Sequence, residues 1–279
     1  MTSSPALLKL QMEYKEKAAQ QRELLKLVRE VEIFEEVFHS NAIENSTLTL
    51  SETEKILLDM EIDKIRSIRE VYEAKNLHRI YNYIENKDPE ITLENILLCH
   101  KFLLDNINED IAGRIRVGNE NVRVGKHIAP IPDEMAPKLD TLLKRRIKSF
   151  KDVIAFHIDF ERLHPFIDGN GRIGRVLINW QLKHIGSAPI IIRSETKVNK
   201  YYPFLSNVDY AGLTKTCELL WSESMNKRLA YVDGLDIITL AQYSKDHTDD
   251  SLASLINRAN RQTIPAFRMR GVWNIGVKP

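Results

Sequence analysis

Cysteine is nearly absent from this chain, with two residues, Cys99 and Cys217, in 279. They have no metal-like spacing and lie in helical, apolar surroundings, so both read as reduced core residues and a disulfide framework is excluded. No apolar run approaches the ~18 residues of a membrane helix, so no membrane association is expected. Basic and acidic side chains number 40 and 39, for a net charge of +1, which excludes a general affinity for polyanions. There is no internal repeat and no low-complexity tract. Met1-Thr2-Ser3-Ser4-Pro5 leads into a charged amphipathic helix and not into a signal peptide, and a cytoplasmic location is expected.

What the chain does contain is concentrated between His164 and Arg175, which reads His-Pro-Phe-Ile-Asp-Gly-Asn-Gly-Arg-Ile-Gly-Arg. Before it, Val153, Ile154, Phe156, Phe160 and Leu163 form an apolar stripe near helical period. Pro165 and Asp168-Gly169 then break regular structure. Ile173, Val176, Leu177 and Trp180 restart a helix at i, i+3, i+4 and i+7. The glycines therefore sit where the free N–H groups of a helix start can hold an anion. Arg172 and Arg175 lie on adjacent turns, spaced to grip successive phosphates. Asp168 is a hard oxygen ligand suited to Mg2+, and His164 can act as a base if it is held neutral. Taken singly, each element is ordinary. Together they describe a nucleotide triphosphate site with a catalytic histidine.

This stretch resembles the complete motif of the Fic family, with flanking similarity over roughly residues 30 to 225. The resemblance implies a mostly helical domain that transfers AMP from ATP to a hydroxyl side chain of a target protein. His164 would be the general base and Asp168 the Mg2+ ligand. Gly169, Asn170 and Gly171 would form the anion hole, Arg172 would contact the phosphate chain, and Arg175 would hold the γ-phosphate. Ser40-Asn41-Ala42-Ile43-Glu44-Asn45 resembles the inhibitory motif of the self-inhibited subgroup. Val28, Val31, Phe34 and Phe38 approximate a helical stripe leading into it. Ser40, Glu44 and Asn45 would belong to the inhibitory helix, with Glu44 pairing with Arg175 and displacing the γ-phosphate. The same glutamate positions a water that removes AMP in some relatives, so removal stays open beside addition.

Asn119-Glu120-Asn121-Val122-Arg123-Val124-Gly125 has partial strand alternation and matches the family's target-binding flap, with Val122, Arg123 and Val124 as its positioning residues. An ordinary hairpin packed on the core is the alternative. Tyr201 and Tyr202, in Lys200-Tyr201-Tyr202-Pro203-Phe204-Leu205, resemble residues near the adenine, or are core tyrosines. Asp209 stands where some relatives carry asparagine, so donors other than ATP, including CDP-choline, remain open.

The hydrophobic pattern predicts an all-α fold with helices over roughly 6–44, 51–86, 92–105, 133–148, 152–163, 170–185 and 199–225, and the resemblance implies a Fic-type helical core with a short β-hairpin flap. Ser51-Glu52-Thr53-Glu54 reads as a capping box. Three regions are expected: a helical stretch 1–88 with the inhibitory motif 40–45, a catalytic core 89–231, and a tail 236–279. In the tail, Ile237 to Tyr243 reads as a short helix, and Asp249, Asp250 or Ser251 caps a second helix ending near Ala259. Ile264 to Trp273 reads as a two-stranded wing turning at Gly271. This resembles a winged helix-turn-helix module of the excisionase type. Arg258, Arg261, Arg268, Arg270 and Lys278, with no acidic residue from 258 onward, are a local footprint for DNA phosphates, or the module serves dimerisation or docking. The chain thus reads as a self-inhibited AMP transferase acting on a Ser, Thr or Tyr hydroxyl of a target or of itself. The alternative is a DNA-binding regulator with a nucleotide-sensing domain. A homodimer is the expected assembly.

Overall fold

A computed structural model describes residues 4–61, 67–124, 127–247 and 250–279. Met1, Thr2, Ser3, Gly125 and Asp249 lie outside the described residues. Helices dominate, and the chain divides into two compact units, with boundaries inside the second and tenth helices.

The larger unit, 33–185 with 191–214, holds the site. Its elements are the end of α2 (Arg22–Ile43), α3 (Leu50–Leu57), α4 (Ile68–Lys87), α5 (Leu93–Leu104), a hairpin of β1 (Arg123–Val124) and β2 (His127–Ile128), α6 (Met135–Leu143), α7 (Phe150–Leu163), α8 (Asn170–His184), a π turn at Lys197–Tyr201, and α9 (Tyr202–Ser206). The core is built from Phe156 and Phe160 of α7, Ile173, Leu177 and Trp180 of α8, Leu77 and Ile80 of α4, and Ile96 and Leu103 of α5. Trp180 donates its indole N–H to Pro89 O at 2.9 Å, and Lys183 Nζ caps the end of α4 at Ile84 O, 2.8 Å.

The smaller unit comprises residues up to Glu32, 186–190 and 215–279. It contains α1 (Pro5–Gln20), the start of α2 and the greater part of α10 (Tyr210–Val232). In it Glu32, 3% exposed, is paired with Arg228 and lies 3.5 Å from Lys227. The tail runs β3 (Asp236–Thr239), α11 (Leu240–Asp246), α12 (Leu252–Asn260), β4 (Ala266–Met269) and β5 (Val272–Val277), with β5 central in an antiparallel sheet of order β3-β5-β4. Leu240, Leu255, Ala259, Ala266 and Ile275 form its own core.

Several element boundaries differ from those expected. The helix predicted over 6–44 breaks at Gln21, and Val31 is 60% exposed, while Ile33 and Val37 supply the buried stripe. The helix predicted over 51–86 is two, because Asp59 takes a left-handed φ of 52° after α3 and Ser67 starts α4. Its capping box is formed by Thr49 with Glu52, one residue pair earlier than predicted. The helix expected to reach 148 ends at Leu143, where Lys144, Arg145, Arg146 and Lys148 crowd like charges. The one expected over 199–225 is interrupted at Val208, φ 56°, and resumes to Val232. Residues 236–239 are a strand where a helix start was expected. Ile237, Ile238 and Thr239 suit a pleated edge, and Thr239 itself caps α11 with Gln242. Ser251 is the cap of α12. Among the described residues no helix is long and apolar enough to cross a membrane.

Asn76, 5% exposed on α4, donates to Leu103 O at 3.1 Å and Asp105 O at 2.7 Å, satisfying the carbonyls that end α5. Asn76→Ala is expected to cost about 1–3 kcal/mol by leaving those groups unpaired, measured as a lowered urea midpoint.

Candidate active site

Helix α7 starts at Ser149, whose hydroxyl accepts from Asp152 N while Asp152 returns the bond. It ends at His164, which adopts φ 50° and ψ 60°. Pro165 disfavours a helical residue before it, so the chain turns there. Helix α8 begins after Gly169, whose φ of 81° suits glycine. Between them Asn170 acts as a staple, its Oδ1 accepting from Phe166 N at 2.9 Å and its Nδ2 donating to Phe166 O at 2.8 Å. The Asn170 side chain is thus committed to the turn, and its backbone is what remains to meet an anion.

His164 Nδ1 lies 3.2 Å from the carbonyl of Glu161, an acceptor only, so the proton sits on Nδ1 and the Nε2 lone pair is left to take another. Burial, the leading cause, pushes its pKa down, and the nearby Arg116 cation adds to this. Arg116, not anticipated from the sequence, is 1% exposed and ties the loop together. It donates to His164 O and Glu120 O at 2.8 Å and to Pro130 O at 2.9 Å. His100, also unanticipated, stacks on Phe166 at 3.8 Å, donates Nε2–H to Asp168 O at 3.0 Å and accepts from Gly113 N at 3.0 Å. Burial holds its pKa down at about 4, so it stays neutral in this role.

Arg175 is 5% exposed and clasped from α2. Its Nε donates to Ser40 Oγ and its Nη2 to Ser40 O, both at 2.9 Å, and Nη2 also reaches Glu44 Oε1 at 2.7 Å. Glu44 stands just past the end of α2, followed by Asn45 with φ 72°. Lys197 Nζ fixes that helix end, donating to Ile43 O at 3.2 Å and Asn45 Oδ1 at 2.8 Å, and Tyr202 donates to Ile43 O at 3.1 Å. A Cβ at Gly171 would fall 2.4 Å from Glu44 Oε1 and 3.0 Å from Arg175 Nη1. The glycine therefore makes room for the carboxylate against the backbone of the helix start, where an anion is favoured.

Behind Arg175, Tyr201 is 3% exposed and donates its hydroxyl to His157 Nε2 at 2.7 Å, while His157 Nδ1–H donates to Gly174 O at 3.1 Å. Burial first, then the Arg175 cation, holds the His157 pKa down at about 3. Glu161 packs against Gly174, whose absent side chain leaves space for its Oε1, and that oxygen makes no hydrogen bond.

Asp168 Oδ1 accepts from Gly169 N at 2.6 Å and lies 3.3 Å from Arg172 Nη2, and its side chain is 42% exposed. Among the described residues no group of three or more His, Cys, Asp or Glu is arranged to hold a metal ion. A dication here would take one protein carboxylate, Asp168, and complete its shell with phosphate oxygens and water, a donor set that suits Mg2+. Val122, Arg123 and Val124 belong to the hairpin. Arg123 pairs with Ile128, Val124 with His127, and Val122 O accepts from Ala129 N at 3.1 Å.

Burial raises the Glu161 pKa to about 7, opposed by Arg175 and reinforced by Glu44. A carboxyl raised above its unfolded value of ~4.3 binds its proton more tightly when folded, so its contribution is present at low pH and lost as pH rises through about 7. The stability difference between Glu161→Gln and wild type is therefore expected to shift in favour of the variant from pH 5 to pH 8 in urea titrations. A difference independent of pH would contradict a buried neutral carboxyl.

Residues 90–182 match the Fic/DOC family. The chain is 30% identical over 191 residues to a protein adenylyltransferase Fic of Nematostella vectensis, covering 64% of this chain and 44% of that protein. It is 33% identical over 183 residues to the protein of the same name in Drosophila yakuba, covering 62% and 36%. The chain thus spans less than half the length of these curated relatives. Its fold is shared with a Fic domain containing signaling protein of Bacteroides thetaiotaomicron, TM-score 0.71 at 22% identity over 82% of this chain and 98% of that one. It is also shared with a Fic family protein of Desulfovibrio desulfuricans, TM-score 0.66 at 20% identity over 100% and 98%. The stretch 90–182 that matches the Fic/DOC family carries His164, Asp168, Arg172 and Arg175.

Proposed function

We propose that this chain is a self-inhibited protein adenylyltransferase that moves AMP from ATP to a Ser, Thr or Tyr hydroxyl of a target protein or of itself. The observation that carries this reading is the Glu44 carboxylate seated over Gly171 on Arg175, an anion already lying in an anion cradle. His164 Nε2 takes the proton of the acceptor hydroxyl, whose oxygen attacks the α-phosphorus. The bond to the pyrophosphate oxygen breaks, and that group leaves. Positioning and charge stabilisation are what such a displacement needs. The backbone of Gly169, Asn170 and Gly171 and the guanidinium of Arg172 offset the phosphate charge. Mg2+ held at Asp168 would neutralise charge on the phosphates. Arg175 is reserved for the γ-phosphate, so its clasp by Glu44 and Ser40 keeps transfer low. The short hairpin at Arg123–Val124 offers a target segment an edge on which to pair. Tyr201 is buried, so it acts on the nucleotide through Arg175 and His157, whereas Tyr202, 39% exposed, is the one able to meet the base.

The test is incorporation of α-labelled ATP in the presence of Mg2+. Label is expected to be weak on wild type, strong on Glu44→Gly and absent from Glu44→Gly/His164→Ala with nucleotide binding intact. Transfer that survives loss of His164 would remove it as the base. No label on any variant despite bound nucleotide would favour a different donor or a sensing role.

For the tail we infer a winged helix-turn-helix module that contacts DNA phosphates, with α12 as the recognition helix. Its strand, helix, helix, strand, strand order and its excess of arginine support this. Arg268 lies 4.2 Å over the Trp273 ring and donates to Asn260 at 3.1 Å, which stiffens the wing. Arg258→Ala/Arg261→Ala is expected to weaken retention of duplex DNA at low salt alike for all sequences, with a shallower salt dependence. No retention by the intact chain on any duplex would leave the docking role.

A further inference from the structure

At the mouth of the phosphate cradle four charged side chains close a ring. Asp168 Oδ2 lies 3.4 Å from Arg69 Nη2, Arg69 Nε lies 3.1 Å from Glu73 Oε1, the same Glu73 oxygen lies 3.2 Å from Arg172 Nη1, and Arg172 Nη2 returns to Asp168 Oδ1 at 3.3 Å. Arg69 and Glu73 stand one turn apart on α4, upstream of the stretch that matches the family. The ring holds two cations and two anions, but its halves differ in burial. Side-chain exposure is 3% for Arg172 and 13% for Glu73, against 42% for Asp168 and 58% for Arg69.

That gradient assigns the halves different work. The contact between Arg69 and Asp168 joins two exposed charges and contributes little, so Asp168 can turn from Arg69 to another cation at little cost. The buried Arg172 charge cannot go uncompensated. With Asp168 engaged elsewhere, Glu73 is the carboxylate left to hold it. Arg172 Nε and Nη1 are buried and make no hydrogen bond, although Nη1 is in ion-pair reach of Glu73. Buried donors of this kind ordinarily have partners. Glu73 thus fixes the guanidinium by charge while leaving its donor directions open, which a phosphate chain can fill bidentately.

We propose that Glu73 is a positioning residue for nucleotide binding, holding Arg172 aimed at the phosphates while Asp168 is released from the ion ring to the metal. The proposal rests on the nucleotide reading above. It is tested by calorimetric titration of a non-hydrolysable ATP analogue with Mg2+ in the Glu44→Gly background, as a cycle of Glu73→Gln, Arg172→Ala and both together. Glu73→Gln keeps the side-chain volume and is expected to weaken binding roughly tenfold, equivalent to ~1.4 kcal/mol. Added to Arg172→Ala, it is expected to change affinity less than about twofold, because its effect runs through that guanidinium. Should Glu73→Gln fail to fold, Glu73→Asp, which keeps the charge one methylene back, completes the same cycle with the same expected loss of effect in Arg172→Ala. An equal loss in both backgrounds, or none in either, would overturn the positioning role. Absence of nucleotide binding by Glu44→Gly alone would instead overturn the nucleotide reading, and this inference with it.

Discussion

A guanidinium keeps its proton at any ordinary pH, and burying one obliges the protein to supply an anion. Arg175, 5% exposed between the end of α2 and the body of α8, imposes that obligation here. Its requirement is met by Ser40 and Glu44, both from the last turn of α2 or just beyond it. The position of that helix end is therefore coupled to the state of the cradle. Lys197 and Tyr202 hold it by its exposed carbonyls, where a cation is also favoured by the helix dipole. On the proposed reading a γ-phosphate satisfies Arg175 equally well. The competition is then an exchange of one anion for another, and a tethered carboxylate has the advantage of high local concentration.

The same burial that demands an anion for Arg175 keeps three imidazoles neutral. His157 and His100 are pushed to about 3 and about 4, and His164 is lowered in the same direction, with desolvation the leading cause in each. Each has one ring nitrogen committed to a backbone carbonyl, which fixes its tautomer. For His157 and His100 the other nitrogen is also engaged, by Tyr201 and by Gly113. Of these three, His164 alone engages a single ring nitrogen, Nδ1, and leaves Nε2 open. What sets His164 apart is thus an imidazole held neutral by burial with a single engaged nitrogen.

The contiguous part of the site was legible in the sequence because His164 to Gly169 is one turn between two helices and Asn170 to Arg175 opens the second, and local rules govern turns and helix starts. Glu44 was legible through its six-residue context, although 131 positions separate it from Arg175. Arg116, His100, Lys197, Glu73 and Arg69 were not, because each acts through a backbone group or charge that only folding brings near. A single arginine or histidine on a helix carries no mark of such a partner. Tyr201 was misleading for the opposite reason, since its place beside Tyr202 hides that one faces inward and the other outward. In the fold, the strand at 236–239 was missed because Ile237 and Ile238, just before the cap Thr239, fit either period. Its assignment comes from antiparallel pairing with the distant β5, in a register running from Asp236 with Val277 to Thr239 with Asn274.

Gly171 and Gly174 show why spacing alone cannot assign a role to a glycine. Both lie within α8, where glycine costs roughly 1 kcal/mol relative to alanine. Neither has the positive φ that would make glycine a backbone necessity. What each provides is room. Gly171 admits the Glu44 carboxylate to the helix start, and Gly174 admits the Glu161 carboxyl between α7 and α8. Two acidic groups thereby approach one guanidinium from different sides, and only Glu44 takes a hydrogen bond from it. With Arg175 hydrogen-bonded to Glu44, an ionised Glu161 would be a second negative charge near the same guanidinium. Burial first, then the Glu44 carboxylate, raises its pKa, so the Glu44 carboxylate and the buried one are linked through the arginine they share.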